Sequence, residues 1–201
     1  MAWERSTFVF ISTNASHDEG SVEQTWLAVM AELVSLGASV QFICIADSPL
    51  APHARSLGVT VAPYILDRWN VVRSRSRLRK YLKRYDPVVA HSTGTEADLL
   101  LRWAVRPLPH VAIATTLTVA DAQATRRRRP LDSLMRRFDE TAIARTDAVF
   151  VPAEGLVGEV QSAGVPAERI VLDPPNANHT VSVERHLAVY REFMARRGEG
   201  A

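Results

Sequence analysis

The chain contains a single cysteine and no long hydrophobic run. Cys44 is alone among 201 residues, so a disulfide framework is excluded, and its apolar neighbours (VQFICIA) indicate a buried core thiol rather than a catalytic one. No stretch approaches the roughly 20 apolar residues that a membrane-spanning helix needs. The apolar run near the N-terminus is too short for a signal peptide. We therefore expect a cytoplasmic protein.

The common motifs of nucleotide-dependent, metal-dependent and hydrolytic enzymes are missing as well. The sequence has neither a GxGxxG dinucleotide fingerprint nor a GxxxxGK[ST] phosphate-binding loop. Its six histidines are scattered without HxH or HExxH spacing, and there is no GxSxG elbow. We expect no bound metal, and the sequence indicates no cofactor.

Acidic residues are almost missing from two basic segments, Arg68–Arg84 and Arg126–Arg137. The first has helical periodicity and offers Arg75, Arg79 and Lys80 as contacts for an anionic lipid or a phosphorylated acceptor, at the inner membrane surface for example. A solvated helix face is the alternative, and it needs no function. Few aromatic residues lie among the cations, so we do not expect nucleic acid as a partner.

The sequence does contain a repeated order of apolar strand, polar loop, amphipathic helix, glycine and next strand. Its first helix, SVEQTWLAVMAELVSLG, ends at Gly37, where we expect a left-handed residue, and Gly58 and Gly164 repeat the pattern. The strands are continuous apolar runs, which is typical of a parallel sheet covered on both faces. We predict one α/β domain of the Rossmann-like, doubly wound type, with a mostly parallel sheet of six or seven strands flanked by helices.

A final helix is predicted from about Ser182 to Arg197, ending at Gly198. Its apolar residues share one face, which we expect to dock on the same domain. They are Val183, Leu187, Tyr190 and Met194. We accordingly assign residues 1–178 to the Rossmann-like domain and residues 179–201 to the docked C-terminal helix.

Ligands of open parallel sheets bind beyond the carboxyl ends of the strands, so the polar loops there are the candidate sites. Gly20 and Ser21 open the first helix and either present N–H groups to an anion or only cap that helix. Thr116 ends the strand HVAIATT. Neither the loop at Thr116 nor the loop at residues 174–179 pairs a nucleophile with an obvious base, so no catalytic residue is assigned.

The loop after the strand PVVAHS is the most polar candidate. His91 and the three hydroxyls of Ser92, Thr93 and Thr95 could bind sugar hydroxyls or a phosphate there, although His91 could equally be a satisfied structural histidine. Thr93 or Thr95 could cap the helix that follows.

Taken in order, these landmarks resemble the N-terminal domain of the family-4 GT-B glycosyltransferases. GSVEQTWLAVMAELVSLGASVQFIC is similar to that family's first loop and helix, and RYDPVVAHS to its Pro-Asp-Val-Val-His-x-His strand. ARTDAVFVPAEGLVGEVQSAGVPAERIVLDPPNAN is similar to the passage that closes the domain. The resemblance covers roughly residues 8–178. It implies an acceptor-side cleft, for which the candidate lining residues are Gly20, Ser21, His91, Ser92 and Thr116.

The second domain of that family, which holds the nucleotide sugar, has no counterpart in the sequence. Residues 175–176 lead directly to VERHLAVYREFMARR, which is similar to the family's last helix. The resemblance implies part of a split or accessory glycosyltransferase, with a donor-domain chain or a second copy as partner. The alternative is a non-catalytic binding or regulatory protein that retains the fold. Ser21, Leu117 and Ala177 replace family residues on the catalytic side of the cleft.

Overall fold

The computed structural model describes residues 3–13, 22–45, 48–63, 71–118, 143, 145–174 and 179–199. These residues form seven strands: β1 (Thr7–Ser12), β2 (Ser39–Cys44), β3 (Thr60–Pro63), β4 (Val89–Thr93), β5 (Ala112–Thr116), β6 (Ala148–Val151) and β7 (Ile170–Leu172). They also form six α-helices: α1 (Val22–Ser35), α2 (Leu50–Ser56), α3 (Val71–Tyr85), α4 (Thr95–Val105), α5 (Glu154–Ser162) and α6 (His179–Glu199).

The strands build one sheet in the order β3-β2-β1-β4-β5-β6-β7, and every pairing is parallel. This confirms the predicted Rossmann-like architecture. The order reverses between β1 and β4, because the chain first adds strands on one side of β1 and then returns to add the rest on the other. The central strands are buried on both faces, which explains why they are apolar without alternation.

Helices cover both faces of the sheet. The first face carries α1, α2 and α6, and its core includes Phe8 and Phe10 of β1, of which Phe10 packs edge-on against Trp26 of α1. The second face carries α3 and α4, with Leu78 and Leu101 packed in the same core as the alternate residues of β1. We call these two sides the α1 face and the α4 face.

The glycines predicted to end helices have the expected backbone. Gly37, Gly58 and Gly164 have φ angles of 84°, 83° and 92°, a left-handed region that residues with a side chain rarely adopt. At Gly37 a Cβ atom would also lie 3.0 Å from the Cγ of Glu4. These positions let the chain turn directly from a helix into the next strand.

Helix α6 docks on the α1 face, as predicted. Leu187 and Tyr190 are buried there, and Val183 and Met194 pack partly buried beside them. The helix is longer than expected: it begins at His179 and includes Gly198, so the predicted end at that glycine is wrong. A glycine in the last turn costs about 1 kcal/mol relative to alanine, too little to stop a helix that is held by packing.

A polar contact fastens the last turn of α6. Arg197 donates hydrogen bonds to both the carboxylate and the backbone carbonyl of Asp86, which follows α3. The other oxygen of that carboxylate lies 2.9 Å from Nε2 of His110. Within the described part of the chain, no helix has the length and apolar character needed to cross a membrane.

Candidate functional site

Three hydroxyl side chains lie in register at the carboxyl edge of the sheet. Ser12 of β1 is paired with Thr93 of β4, and Thr93 is paired with Thr116 of β5. Residues in register on parallel strands point to the same face, which here is the α1 face. The three residues, called the hydroxyl row below, span the reversal between β1 and β4. Open α/β sheets bind their ligands at this point.

Thr93 is the member of the hydroxyl row with an unsatisfied side chain. It is 0% exposed, and its Oγ1 has no hydrogen-bond partner in the described part of the chain. A buried hydroxyl left unbonded costs roughly 1–3 kcal/mol, so native structures rarely keep one without a reason. A ligand hydroxyl at the carboxyl edge would supply the missing bond.

The residue after Thr93 is the N-cap of α4. Gly94 has φ 91° and occupies the N-cap position, with no side-chain cap. The expectation that Thr93 or Thr95 would take the cap position is therefore wrong. Glu96 lies in the first turn of α4 and already complements its dipole, so this helix end favours a neutral hydroxylated ligand over a phosphate.

His91 lies one layer below the hydroxyl row and is 1% exposed. Its Nδ1 is hydrogen-bonded to the hydroxyl of Tyr190 in α6, and its Nε2 lies 2.8 Å from Oγ1 of Thr116. Hydroxyl groups donate or accept, so both bonds form with either neutral tautomer. The indole N–H of Trp26 donates to the same Thr116 oxygen at 3.4 Å.

Burial determines the charge of this imidazole. Desolvation, reinforced by neighbouring His186, lowers the pKa of His91 well below the usual histidine value, and burial raises the pKa of Tyr190. His91 is therefore neutral near pH 7. The arrangement corresponds to the satisfied-histidine alternative, and ligand binding by His91 stays a prediction. Its effect on the edge is indirect, because it fixes the Thr116 hydroxyl.

A second buried histidine reaches the same layer from α6. His186 stacks on Phe150 with ring centroids 3.9 Å apart, and its Nδ1 lies 2.9 Å from the carbonyl oxygen of Ser182. Asp173, after β7, accepts a hydrogen bond from the Ser182 hydroxyl at 2.6 Å. Burial lowers the pKa of His186, and the Ser182 carbonyl and Asp173 offset part of that shift. Its Nε2 has no hydrogen-bond partner in the described ranges.

Ser92 points to the other side of the sheet from its neighbour His91. Its hydroxyl lies 3.3 Å from that of Thr115, which accepts a hydrogen bond from Arg102 of α4. Arg102 also donates to Thr146 and lies 3.7 Å from Asp98. Ser92 is thus part of a buried polar cluster on the α4 face, away from the hydroxyl row. Its predicted role at the cleft stays a prediction.

Two predicted site residues, Gly20 and Ser21, lie outside the described residues. Residues 119–142 and 175–178, which belong to two other candidate loops, also lie outside them. Among the described residues, no group of three or more histidine, cysteine or acidic side chains is placed to hold a metal ion. Cys44 is buried in the core, and burial raises the pKa of its thiol.

The cations of the basic helix α3 fall into two groups, those that are half-buried and those that are exposed. Arg75 is half-buried, donates to the carbonyl oxygen of Trp103 at 3.2 Å and lies over that indole ring. Arg79 is also half-buried, and Lys80 is exposed. The exposed stripe of this helix, which we call the basic stripe, lies opposite the buried Leu78 and Leu82. It consists of Arg73, Arg77, Lys80 and Arg84.

Two important residues were not singled out from the sequence. Thr93 was considered only as one of three hydroxyls in its loop or as a helix cap, and it was not chosen as a lining residue, although its place in HSTGT at the end of a strand favoured the edge of the sheet. Arg102 is one cation within the apolar run ADLLLRWAV, with Asp98 four residues earlier. A charge in that position predicts a buried ion pair.

Comparison with known proteins identifies the family. A family described as "Glycosyl transferase 4-like domain" matches residues 20–176, well over half of the chain. The chain belongs to this family. The match runs from the start of α1 to the end of β7, so it includes the strands that carry Thr93 and Thr116 but not β1. No curated protein matches the sequence at a significant level.

Solved structures share the fold of this glycosyl transferase 4-like chain at low identity. HepE of Anabaena, solved with UDP, has a TM-score of 0.63 and 10% identity over 84% of this chain and 44% of its own. A glycosyltransferase of Rickettsia africae has a TM-score of 0.59 and 12% identity over 84% and 42%. A sucrose-phosphate synthase structure from Thermosynechococcus elongatus has a TM-score of 0.62 and 12% identity over 94% and 99%. The chain spans less than half the length of the first two proteins.

Proposed function

We propose that this chain is the acceptor-side half of a glycosyltransferase and that another chain holds the nucleotide sugar. The observation that carries the proposal is the hydroxyl row at the reversal of strand order, in a chain that belongs to the glycosyl transferase 4-like family. HepE, which has the same fold, was solved with UDP and with UDP-glucose. By analogy with HepE, we propose that the complete enzyme, of which this chain would be one part, uses a nucleotide sugar as its donor.

The chemistry of the carboxyl edge supports an acceptor rather than a donor diphosphate. Thr93 and Thr116 offer neutral hydroxyl groups, and Glu96 reduces the attraction of the α4 N-terminus for an anion. A sugar or another polyol can pair with the unsatisfied Thr93 oxygen without a charge. The contribution of such a half is positioning, which holds the attacking hydroxyl near the donor carbon.

The experiment is a reconstitution. The tagged chain is captured from its own cells, co-purified chains are identified by mass spectrometry, and transfer from UDP- and GDP-sugars is measured for each chain alone and for the mixture. We expect a partner with a nucleotide-binding half, and transfer only in the mixture. Thr93→Val should reduce transfer at least about tenfold, whereas Thr60→Val, on exposed β3, should leave it unchanged. If every co-purified chain leaves transfer at the background level, the split-enzyme proposal fails.

A second candidate function is a binding or regulatory protein without catalysis. It is favoured by the buried position of His91, whose two ring nitrogens are both hydrogen-bonded, so that this histidine has no free nitrogen for a general base. Under this alternative, the captured partner would catalyse transfer alone. The chain would then change the partner's KM or its localisation, and Thr93→Val would abolish that change.

The basic stripe adds a proposed surface contact. Its exposed cations face away from the core and would contact anionic lipid or a phosphorylated acceptor, and with anionic lipid the chain would attach peripherally at the inner membrane surface. Of the three residues predicted from the sequence, Lys80 belongs to this stripe. Arg75 and Arg79 lie at its margin, because one is held on Trp103 and both are half-buried.

A further inference from the structure

A cleft of about 450 Å³ opens at the amino edge of the sheet, opposite the hydroxyl row. It is bounded by the last turn of α4, the loop that leads to β5 and the residues just before β6. Its volume is within the range of small-molecule sites, roughly 300–1,000 Å³. This inference is independent of the proposed function, which concerns the other edge of the sheet.

The floor of the cleft is apolar and packed into the core. Val105, Leu108 and Val111 line it and are almost fully buried. Trp103 forms one wall, and the guanidinium of Arg75 lies over its ring at 5.4 Å from the centroid. These side chains are held by the core of the α4 face, so the cavity exists without a ligand and would shield an apolar group from water.

The rim is cationic. Arg106 and Arg145 line the cleft, are exposed, and have no hydrogen bond or ion pair with any described residue. Arg102 also lines it, but Thr115, Thr146 and Asp98 use its guanidinium. The one acid in the lining is Asp147, which accepts a hydrogen bond from the backbone N–H of Ile113. The two free arginines therefore outnumber the single carboxylate.

The helix end beside this rim would ordinarily repel an anion, because the last carbonyls of a helix carry partial negative charge. Two of those carbonyls in α4 are already occupied. Trp103 accepts from Arg75 at 3.2 Å, and Val105 accepts from the N–H of Leu108 at 2.6 Å. The local field is consequently dominated by Arg106 and Arg145.

We propose that this cleft binds a single-chain amphiphile with an anionic head. Its apolar chain would lie on the floor beside Trp103, and its head would pair with Arg106 and Arg145. A carboxylate and a phosphate monoester share the chemistry that two arginines recognise. An eight-carbon chain is short enough for the volume and soluble enough to titrate.

The test is a calorimetric titration of the full chain with octanoate, octyl phosphate, octanol and inorganic phosphate. We expect saturable 1:1 binding of octanoate, octyl phosphate or both, at least about tenfold tighter than binding of octanol or inorganic phosphate. Whichever anion binds more tightly identifies the head group. Binding of octanol as tight as that of both anions, or no binding of either anion, overturns the proposal.

Two sets of variants locate the binding. Arg106→Gln with Arg145→Gln should weaken binding at least about tenfold, whereas Arg77→Gln with Lys80→Gln, which removes the same charge from the basic stripe, should not. All four side chains lie on the surface, and circular dichroism checks that the fold is retained. The change in tryptophan emission that the ligand causes should disappear in Trp103→Phe. Equal loss of affinity in both double variants, or an unchanged emission response in Trp103→Phe, contradicts the proposed position.

Discussion

His186 of α6 lies flat on Phe150 of β6, with ring centroids 3.9 Å apart and ring planes 3° apart. It also lies 5.5 Å from the ring of His91, so two buried imidazoles occupy adjacent positions in one core. This layer of aromatic rings connects the last helix of the chain to the strands that carry the hydroxyl row. Loss of the ring packing between α6 and these strands would therefore also disturb the positions of the hydroxyl row.

Acid should destabilise the folded chain by protonating His91 and His186. The pKa values of His91 and His186 are lowered in the folded chain, so both bind protons more readily once the chain unfolds, at pH values below about 6.5. Stability is then complete above pH 6.5 and falls as the pH decreases, by up to about 1.4 kcal/mol per pH unit for each histidine. Thermal unfolding between pH 5 and 8 measures this dependence.

His186→Phe is the informative variant for that measurement. It keeps an aromatic ring on Phe150, removes the unbonded Nε2 and leaves one titrating imidazole, so the slope below pH 6.5 should be about halved. His179→Asn, at the exposed start of α6, should leave the slope unchanged. A slope unaffected by His186→Phe would mean that other groups cause the acid sensitivity.

Arg102 should be the most sensitive cation of the chain. Its guanidinium is buried between α4 and the sheet beside Asp98, so Arg102→Met leaves a buried carboxylate without its countercharge and should cost about 3–5 kcal/mol. Arg106→Met, one turn further along α4 and exposed, should change the free energy of unfolding by less than about 0.5 kcal/mol. Urea denaturation compares the two. Similar losses in both variants would refute the buried ion pair.

Thr93→Val should separate binding from stability. Valine has nearly the same shape and removes a buried hydroxyl without a hydrogen-bond partner, so the free energy of unfolding should stay the same or rise by up to about 1 kcal/mol. Thr116→Val, in contrast, removes the hydroxyl that pairs with His91 and should destabilise the chain by about 1–3 kcal/mol. Thermal unfolding of the two variants is the measurement. A marked loss in Thr93→Val would show that its hydroxyl is structural.

The basic stripe should control binding to anionic membranes. Each exposed cation near such a surface contributes about 1 kcal/mol, so Arg77→Glu with Lys80→Glu should weaken cosedimentation with phosphatidylglycerol vesicles at least about 30-fold. Arg191→Glu with Arg196→Glu, on α6, changes the net charge equally and should have little effect. Unchanged binding of the α3 variant would exclude the membrane contact.

The fold could be read from the sequence because its signals are local. Continuous apolar runs gave the strands, and Gly37, Gly58 and Gly164 stood where a helix must reverse into a strand. The predicted stripe on α6 also docks where expected. Each of these depends on spacing within one element and not on contacts between distant residues.

The site was harder to predict because its contacts are not local. In PVVAHS, every residue is buried, so the sequence does not show that His91 faces α6 while Ser92 faces α4. The partner of His91 is Tyr190, 99 residues away, and only the packing of α6 brings them together. The unsatisfied oxygen of Thr93 depends on the register of three strands, which the sequence pattern does not define.

The central claim is that this chain supplies the acceptor side of a glycosyltransferase and that its nucleotide sugar is held elsewhere. Calorimetric titration of the purified chain with UDP, UDP-glucose and a GDP-sugar tests it most directly. We predict no saturable heat for any of the three up to millimolar concentration. Saturable 1:1 binding of any of them by the chain alone would contradict the claim.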